Sequence, residues 1–137
     1  MIGILIVSHG TFGDALIHSA THVLGKRPLQ VQQLGVAIQD DPDSILPRAR
    51  ELLRDLDTGE GVLILTDMLG ATPSNIATRL LSPGRVEGLA GANLPMLIRA
   101  LTYRDEPLAV VVQKAMSGGR EGVVRLMSEF RHAAGRS

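Results

Sequence analysis

The run Ile4-Leu5-Ile6-Val7, followed at once by Ser8-His9-Gly10, constrains this chain more than any other stretch. A short apolar run that leads straight into a helical pattern is a strand buried on both faces, as in a parallel sheet. Open α/β sheets place their ligands beyond the carboxyl ends of such strands. His9 is therefore expected at the mouth of a sheet, and not inside it.

The residues that follow alternate between helical and strand patterns. Phe12, Leu16, Ala20, Val23 and Leu24 form a helical stripe that Gly25 ends. His18 and His22 are four apart and share a face of that helix, but no third metal ligand lies near them, so the face reads as solvated or half-buried. Residues 29–38 alternate loosely and predict a second strand. Asp40-Asp41-Pro42 offers an N-cap with proline at the first helical position. Ile45, Ala49, Leu52, Leu53 and Leu56 make the stripe behind it, with Pro47 expected to bend that helix or delay its start. Arg48, Arg50, Glu51, Arg54 and Asp55 face away as a solvated surface.

After the turn at residues 57–61, Val62-Leu63-Ile64-Leu65-Thr66 is the strongest strand pattern, and it too stops at a polar group, Asp67. Residues 68–71 read as a loop, with Thr72 as N-cap and Pro73 as the first residue of a third helix. Val86 to Ala90 is a weaker strand. Pro95 to Leu101 is a short helix with Asn93 as a candidate cap. Pro107 opens another helix, which Ser117-Gly118-Gly119 is expected to stop. For Gly122 to Met127, periodicity does not decide between strand and helix. The expected organisation is one domain over residues 1–130 with a frayed tail over 131–137.

This order predicts a three-layer α/β/α domain built on a mostly parallel sheet of four strands with right-handed crossovers. With 137 residues the chain is long enough for one full core. Lys+Arg and Asp+Glu are each 14, which argues against broad electrostatic binding of nucleic acid or anionic membrane. There is no cysteine, so thiolate chemistry is excluded. No apolar run approaches a membrane span, and no signal peptide is evident, so a cytoplasmic protein is expected.

The chemistry rests on two strand ends. Adjacent parallel strands lie ~4.8 Å apart. If the strands ending at His9 and Asp67 adjoin, the carboxylate can accept from one ring N–H, set the tautomer and leave the other nitrogen as a nucleophile. The helix start at residues 72–75 brings orphan backbone N–H groups that favour an anion. Gly10 permits close backbone approach. The expected phosphoryl-binding groups are Gly10, Gly70, Ala71, Thr72 and Ser74. An oriented imidazole beside an anion cradle points to phosphoryl transfer through phosphohistidine. No Walker A motif and no paired-carboxylate metal site is present, so neither nucleotide, cofactor nor metal is expected.

The blocks I-V-S-H-G at 6–10, L-T-D-M-L-G-A-T-P-S-N at 65–75, A-N-L-P-M-L at 92–97 and G-R-E-G-V at 119–123 resemble the mannose-type (mannose/fructose/sorbose) IIA component of the bacterial sugar phosphotransferase system. The resemblance spans nearly the whole chain, and the second block is its most specific part. It implies a cytoplasmic phosphocarrier that accepts a phosphoryl group from phospho-HPr on His9, through Nε2, and passes it to a IIB protein. Asp67 is similar to the carboxylate that orients the histidine, and Thr72 stands where other members often have serine. The resemblance also implies a homodimer in which Gly122 to Met127 is an antiparallel strand exchanged between subunits, and contact with membrane only through a permease complex.

Met68, Leu69 and Ala71 depart from members with an aromatic residue and a second glycine in that loop. A mainly regulatory phosphoprotein, or a donor module for a dihydroxyacetone kinase, would use the same His9 chemistry. Tetrapyrrole chelatases, histidine phosphatases and receiver domains fit less well. They call respectively for a facing histidine, for an arginine in place of Ser8, and for acidic residues where Ser8-His9-Gly10 stands.

Overall fold

The computed structural model describes residues 1–135. β1 (Gly3–His9), β2 (Val31–Val36), β3 (Val62–Thr66) and β4 (Val86–Ala90) form one fully parallel sheet in the order β2-β1-β3-β4. The strands ending at His9 and Asp67 are thus neighbours at the centre of the sheet. Side-chain alternation divides the core in two. Ile4, Ile6, Leu63 and Leu65 pack with α1 (Phe12–Leu24), α4 (Leu94–Thr102) and α5 (Leu108–Glu121). Leu5, Val7, Val62 and Ile64 pack on the other face with α2 (Pro42–Leu56) and α3 (Thr72–Leu80). Burial on both faces explains why β1 and β3 are apolar without alternation.

Most boundaries follow local chemistry. Gly25 ends α1 in the left-handed region (φ 84°), with its N–H on the Thr21 carbonyl. The side that α1 buries is Gly13, Leu16, Ile17 and Ala20, whereas Val23 and Leu24 of the expected stripe are exposed. The Asp41 carboxylate accepts from the Asp43 N–H, and Pro42 opens α2. The helix runs through Pro47, which does not delay its start. Asn93 caps α4 by accepting from the Met96 N–H at 2.9 Å.

Three expectations need correction. Ala71, and not Thr72, is the N-cap of α3: its backbone is extended (φ −105°, ψ 170°) and Thr72 is already helical. Gly118 and Gly119 do not stop α5 but lie inside it, where they admit α4. A Cβ on Gly118 would lie 2.7 Å from the Arg99 Cβ, and one on Gly119 2.7 Å from the Met96 Cε. Finally, no C-terminal strand forms within the described chain. Residues 123–125 have no regular structure, and α6 (Leu126–Ala134) follows. A strand needs a neighbouring ladder, and none reaches this segment; helical hydrogen bonds are satisfied locally instead. Of the expected frayed tail, residues 131–134 belong to α6, and Arg136 and Ser137 lie outside the described residues.

Candidate active site

His9 ends β1 with its side chain 46% exposed, while the Asp67 side chain beside it is only 14% exposed. One carboxylate oxygen, Asp67 Oδ2, accepts from the His9 backbone N–H at 2.9 Å and lies 2.7 Å from His9 Nδ1. The other, Oδ1, accepts from the Met68 N–H at 2.9 Å. Burial pushes the Asp67 carboxyl up, but the His9 backbone N–H, the His9 ring and the Met68 N–H outweigh it and hold the group below its ordinary 3.8. An ionised Asp67 can only accept, so Nδ1 carries the hydrogen and Nε2 carries the lone pair.

The turn that carries His9 is built by residues that strand and helix patterns do not single out. The buried Ser8 hydroxyl accepts from the Gly13 N–H at 3.0 Å and so ties the end of β1 to the first turn of α1. Gly10 has φ +52° and donates its N–H to the Val36 carbonyl at 3.0 Å. Gly35 lies so close that a Cβ there would strike the Gly10 carbonyl oxygen, and a Cβ on Gly13 would come within 2.8 Å of the Gln33 Cβ. The sequence signal for these positions was small residues at the junctions next to a functional strand end.

The expected phosphoryl-binding residues fall into two sets. Gly70 (φ +85°) donates its N–H to Ser74 Oγ at 3.0 Å, and Ser74 Oγ donates to the Ala71 carbonyl at 2.9 Å. Ser74 thus braces the loop before α3, and with the Gly10 N–H also engaged, three of the expected donors are occupied within the chain. The N–H groups of Ala71 and Thr72 lie in the first turn of α3, where a helix has no internal acceptor for them, and Thr72 is half-buried. His18 and His22 are exposed on α1, and among the described residues no group of three or more His, Asp or Glu could hold a metal ion.

The family model described as the PTS system fructose IIA component matches residues 3–115. The chain belongs to this EIIA-man family. It is 32% identical over 131 residues to the mannose-specific EIIAB component of Escherichia coli (strain K12), which covers 93% of this chain. The chain spans 40% of the length of that relative. It is 30% identical over 109 residues to the fructose-specific EIIA component of Bacillus subtilis (strain 168), covering 77% of this chain and 72% of the relative. The crystal structure of a phosphotransferase system EIIA component from Streptococcus agalactiae superposes with a TM-score of 0.83 at 28% identity, covering 93% of this chain and 99% of that one. Its EIIA-man match covers residues 3–115, which include all four strands and both His9 and Asp67.

Proposed function

We propose that His9 is the phosphorylated residue of this EIIA protein, taking a phosphoryl group from phospho-HPr and handing it to a IIB-type protein in the cytoplasm. The observation that carries the reading is the 2.7 Å contact between His9 Nδ1 and Asp67. In the forward step the Nε2 lone pair forms a new N–P bond as the P–N bond to the donor histidine breaks. The donor ring leaves with that electron pair. The His9 ring, holding its hydrogen on Nδ1, becomes cationic beside the Asp67 carboxylate, which offsets the charge. The reverse sequence of the same bonds serves the acceptor.

Phosphoryl transfer asks mainly for positioning and charge stabilisation. The first turn of α3 supplies neutral donors at Ala71 and Thr72, with Gly70 and Ser74 shaping the loop and Gly10 giving clear approach. Neutral donors favour an anion without trapping it, which suits a carrier that must release its cargo. No helix among the described residues is long and apolar enough to cross a membrane. Contact with membrane is through a permease complex.

The chain acts as a homodimer in which residues 122–127 pair with the sheet of a second subunit, Leu126 and Met127 leaving the start of α6 to do so. Two features support this. β4 ends the strand order, and beyond a bridge between Val86 and Ser82 its outer edge has no strand beside it among the described residues; Val123, Val124, Leu126, Met127 and Phe130 are all exposed. An open edge of this kind invites pairing.

The test is incubation with phosphoenolpyruvate, Enzyme I and HPr, followed by mapping of acid-labile phosphate. Label is expected on His9 and absent from His9→Ala with its fold intact. Label retained at His18, His22 or His132 in that variant would overturn the assignment. Addition of a IIB protein is expected to discharge the labelled chain.

A further inference from the structure

The pole of the sheet opposite His9 holds a second site with different chemistry. Arg104 follows α4 and is only 8% exposed. Its guanidinium is held entirely by main-chain carbonyls. Nε and Nη2 donate to the Ile2 carbonyl at 3.1 and 2.7 Å, Nη2 also donates to Gln30 at 3.1 Å, and Nη1 donates to Leu29 at 2.6 Å. One hydrogen of Nη1 remains without an acceptor among the described residues. No carboxylate forms an ion pair with Arg104 there; Asp105 acts on it only at longer range. Its charge is thus buried against dipoles and not neutralised, a situation that costs energy unless an anion joins it.

Arg104 lines a cleft of about 470 Å³ whose other walls include Leu24, Leu29 and Leu101 and whose rim carries Lys26 and Arg27. Among the described residues no acidic side chain lines it. A mostly apolar concavity with a few convergent polar groups, in the range of about 300–1,000 Å³, is the ordinary form of a small-molecule site. Leu24 and Leu29 are both exposed, so these two walls are not covered by this chain, whereas Leu101 is buried at the base.

We propose that this cleft binds a small organic anion free in solution: an apolar body seated on Leu24, Leu29 and Leu101, with a carboxylate, sulfonate or phosphate group held by Arg104, Lys26 and Arg27. The choice of a small molecule over a flat lipid surface rests on the concavity and on the depth of Arg104. The choice of an anion rests on three cations with no carboxylate among them. The site is independent of His9 and stands whether or not His9 is phosphorylated.

The test uses two probes of matched shape: anilinonaphthalene sulfonate, and its uncharged counterpart N-phenylnaphthylamine. Fluorescence titration of the full chain is expected to show saturable binding of the sulfonate with one site per chain, displaced by decanoate, and at least ~10-fold weaker binding of the uncharged probe. Lys26→Glu with Arg27→Glu, at exposed positions that leave the fold alone, is expected to weaken the sulfonate ~10-fold. Leu29→Lys, also exposed, is expected to weaken both probes. Circular dichroism checks that each variant is folded. Equal affinity for the two probes, or unchanged binding in the Lys26/Arg27 variant, would overturn the proposal. So would binding of anionic phosphatidylglycerol vesicles without saturable uptake of either the sulfonate or decanoate.

Discussion

Asp67 holds His9 twice with one oxygen, by the main-chain N–H and by the ring. The ring cannot turn without giving up a charge-assisted hydrogen bond. Asp67→Asn keeps the shape but removes the charge that opposes the cationic ring, and its amide can also impose the wrong tautomer. Transfer from phospho-HPr is expected to slow by ~10²-fold or more, with binding of unphosphorylated HPr little changed; rapid-quench labelling beside a titration by calorimetry separates the two. The same contact has a pH signature. Because the Asp67 carboxyl is held below 3.8 in the folded chain, its contribution to stability is present above that ordinary value and is lost as pH falls through the lower folded one. The difference in urea midpoint between the parent and Asp67→Asn is therefore expected to stay level above about pH 5 and to shrink below about pH 4. A gap that widened on acidification would reverse the sign of the argument. His9 and Asp67 were legible in the sequence because each interrupts an apolar run. Ser8 was not, since a hydroxyl that joins a strand end to the next helix start leaves no periodic trace. Gly70 and Ser74 were legible as a loop and a helix start, but not as partners of each other.

The helices teach a related lesson through their glycines. Gly25 and Gly118 look alike in sequence, yet the first ends α1 and the second lies within α5 against α4. Only the packing partner distinguishes them, and a single sequence does not display it. A Cβ at position 118 would meet the Arg99 Cβ, close to main chain, and also lie 3.2 Å from the Pro95 carbonyl oxygen; at 119 the nearest atom is the flexible end of Met96. Gly118→Ala is thus expected to destabilise by about 1–3 kcal/mol. Gly119→Ala is expected to fall near neutral, because an alanine in a helix interior regains up to about 1 kcal/mol. Urea denaturation of the two variants reads the contrast directly. The segments that follow β1, β2 and β3 carry a different message. Phe12, Ile38, Met68 and Leu69 are all exposed, and Ile38 is fully so. It sits on a turn braced by Asp40, whose carboxylate accepts from the Ala37 N–H at 2.7 Å. Under the proposed function, these apolar side chains, held out on the same side as His9, are contacts for the donor protein. Ile38→Asp is expected to raise the HPr concentration for half-maximal transfer by ~10-fold, in line with about 1.5 kcal/mol or more for a buried apolar side chain, without lowering thermal stability. An unchanged concentration dependence would remove Ile38 from the docking surface.

Taken whole, the molecule is a parallel sheet whose architecture was readable from the alternation of strand and helix patterns, whereas its C-terminal segment was not. Residues 123–125 have no regular structure, and the exposed apolar face of α6 has no partner within the described chain; in the proposed homodimer a second copy, which no single sequence contains, would order both. Truncation after Gly122 is expected to convert a dimer to a monomer in sedimentation velocity; a full-length monomer at micromolar concentration would remove the exchanged strand. The Arg104 staple, meanwhile, sets the order in which the fold can be completed as a ribosome makes it. Its guanidinium holds the Ile2 carbonyl, while the Ile2 N–H bonds the Arg104 carbonyl at 2.9 Å. The central strand also waits for residues 62–66 before it gains its second neighbour. The earliest part of the domain to leave the exit tunnel is therefore among the last to be locked, and in the interval chaperones have their opportunity to bind it.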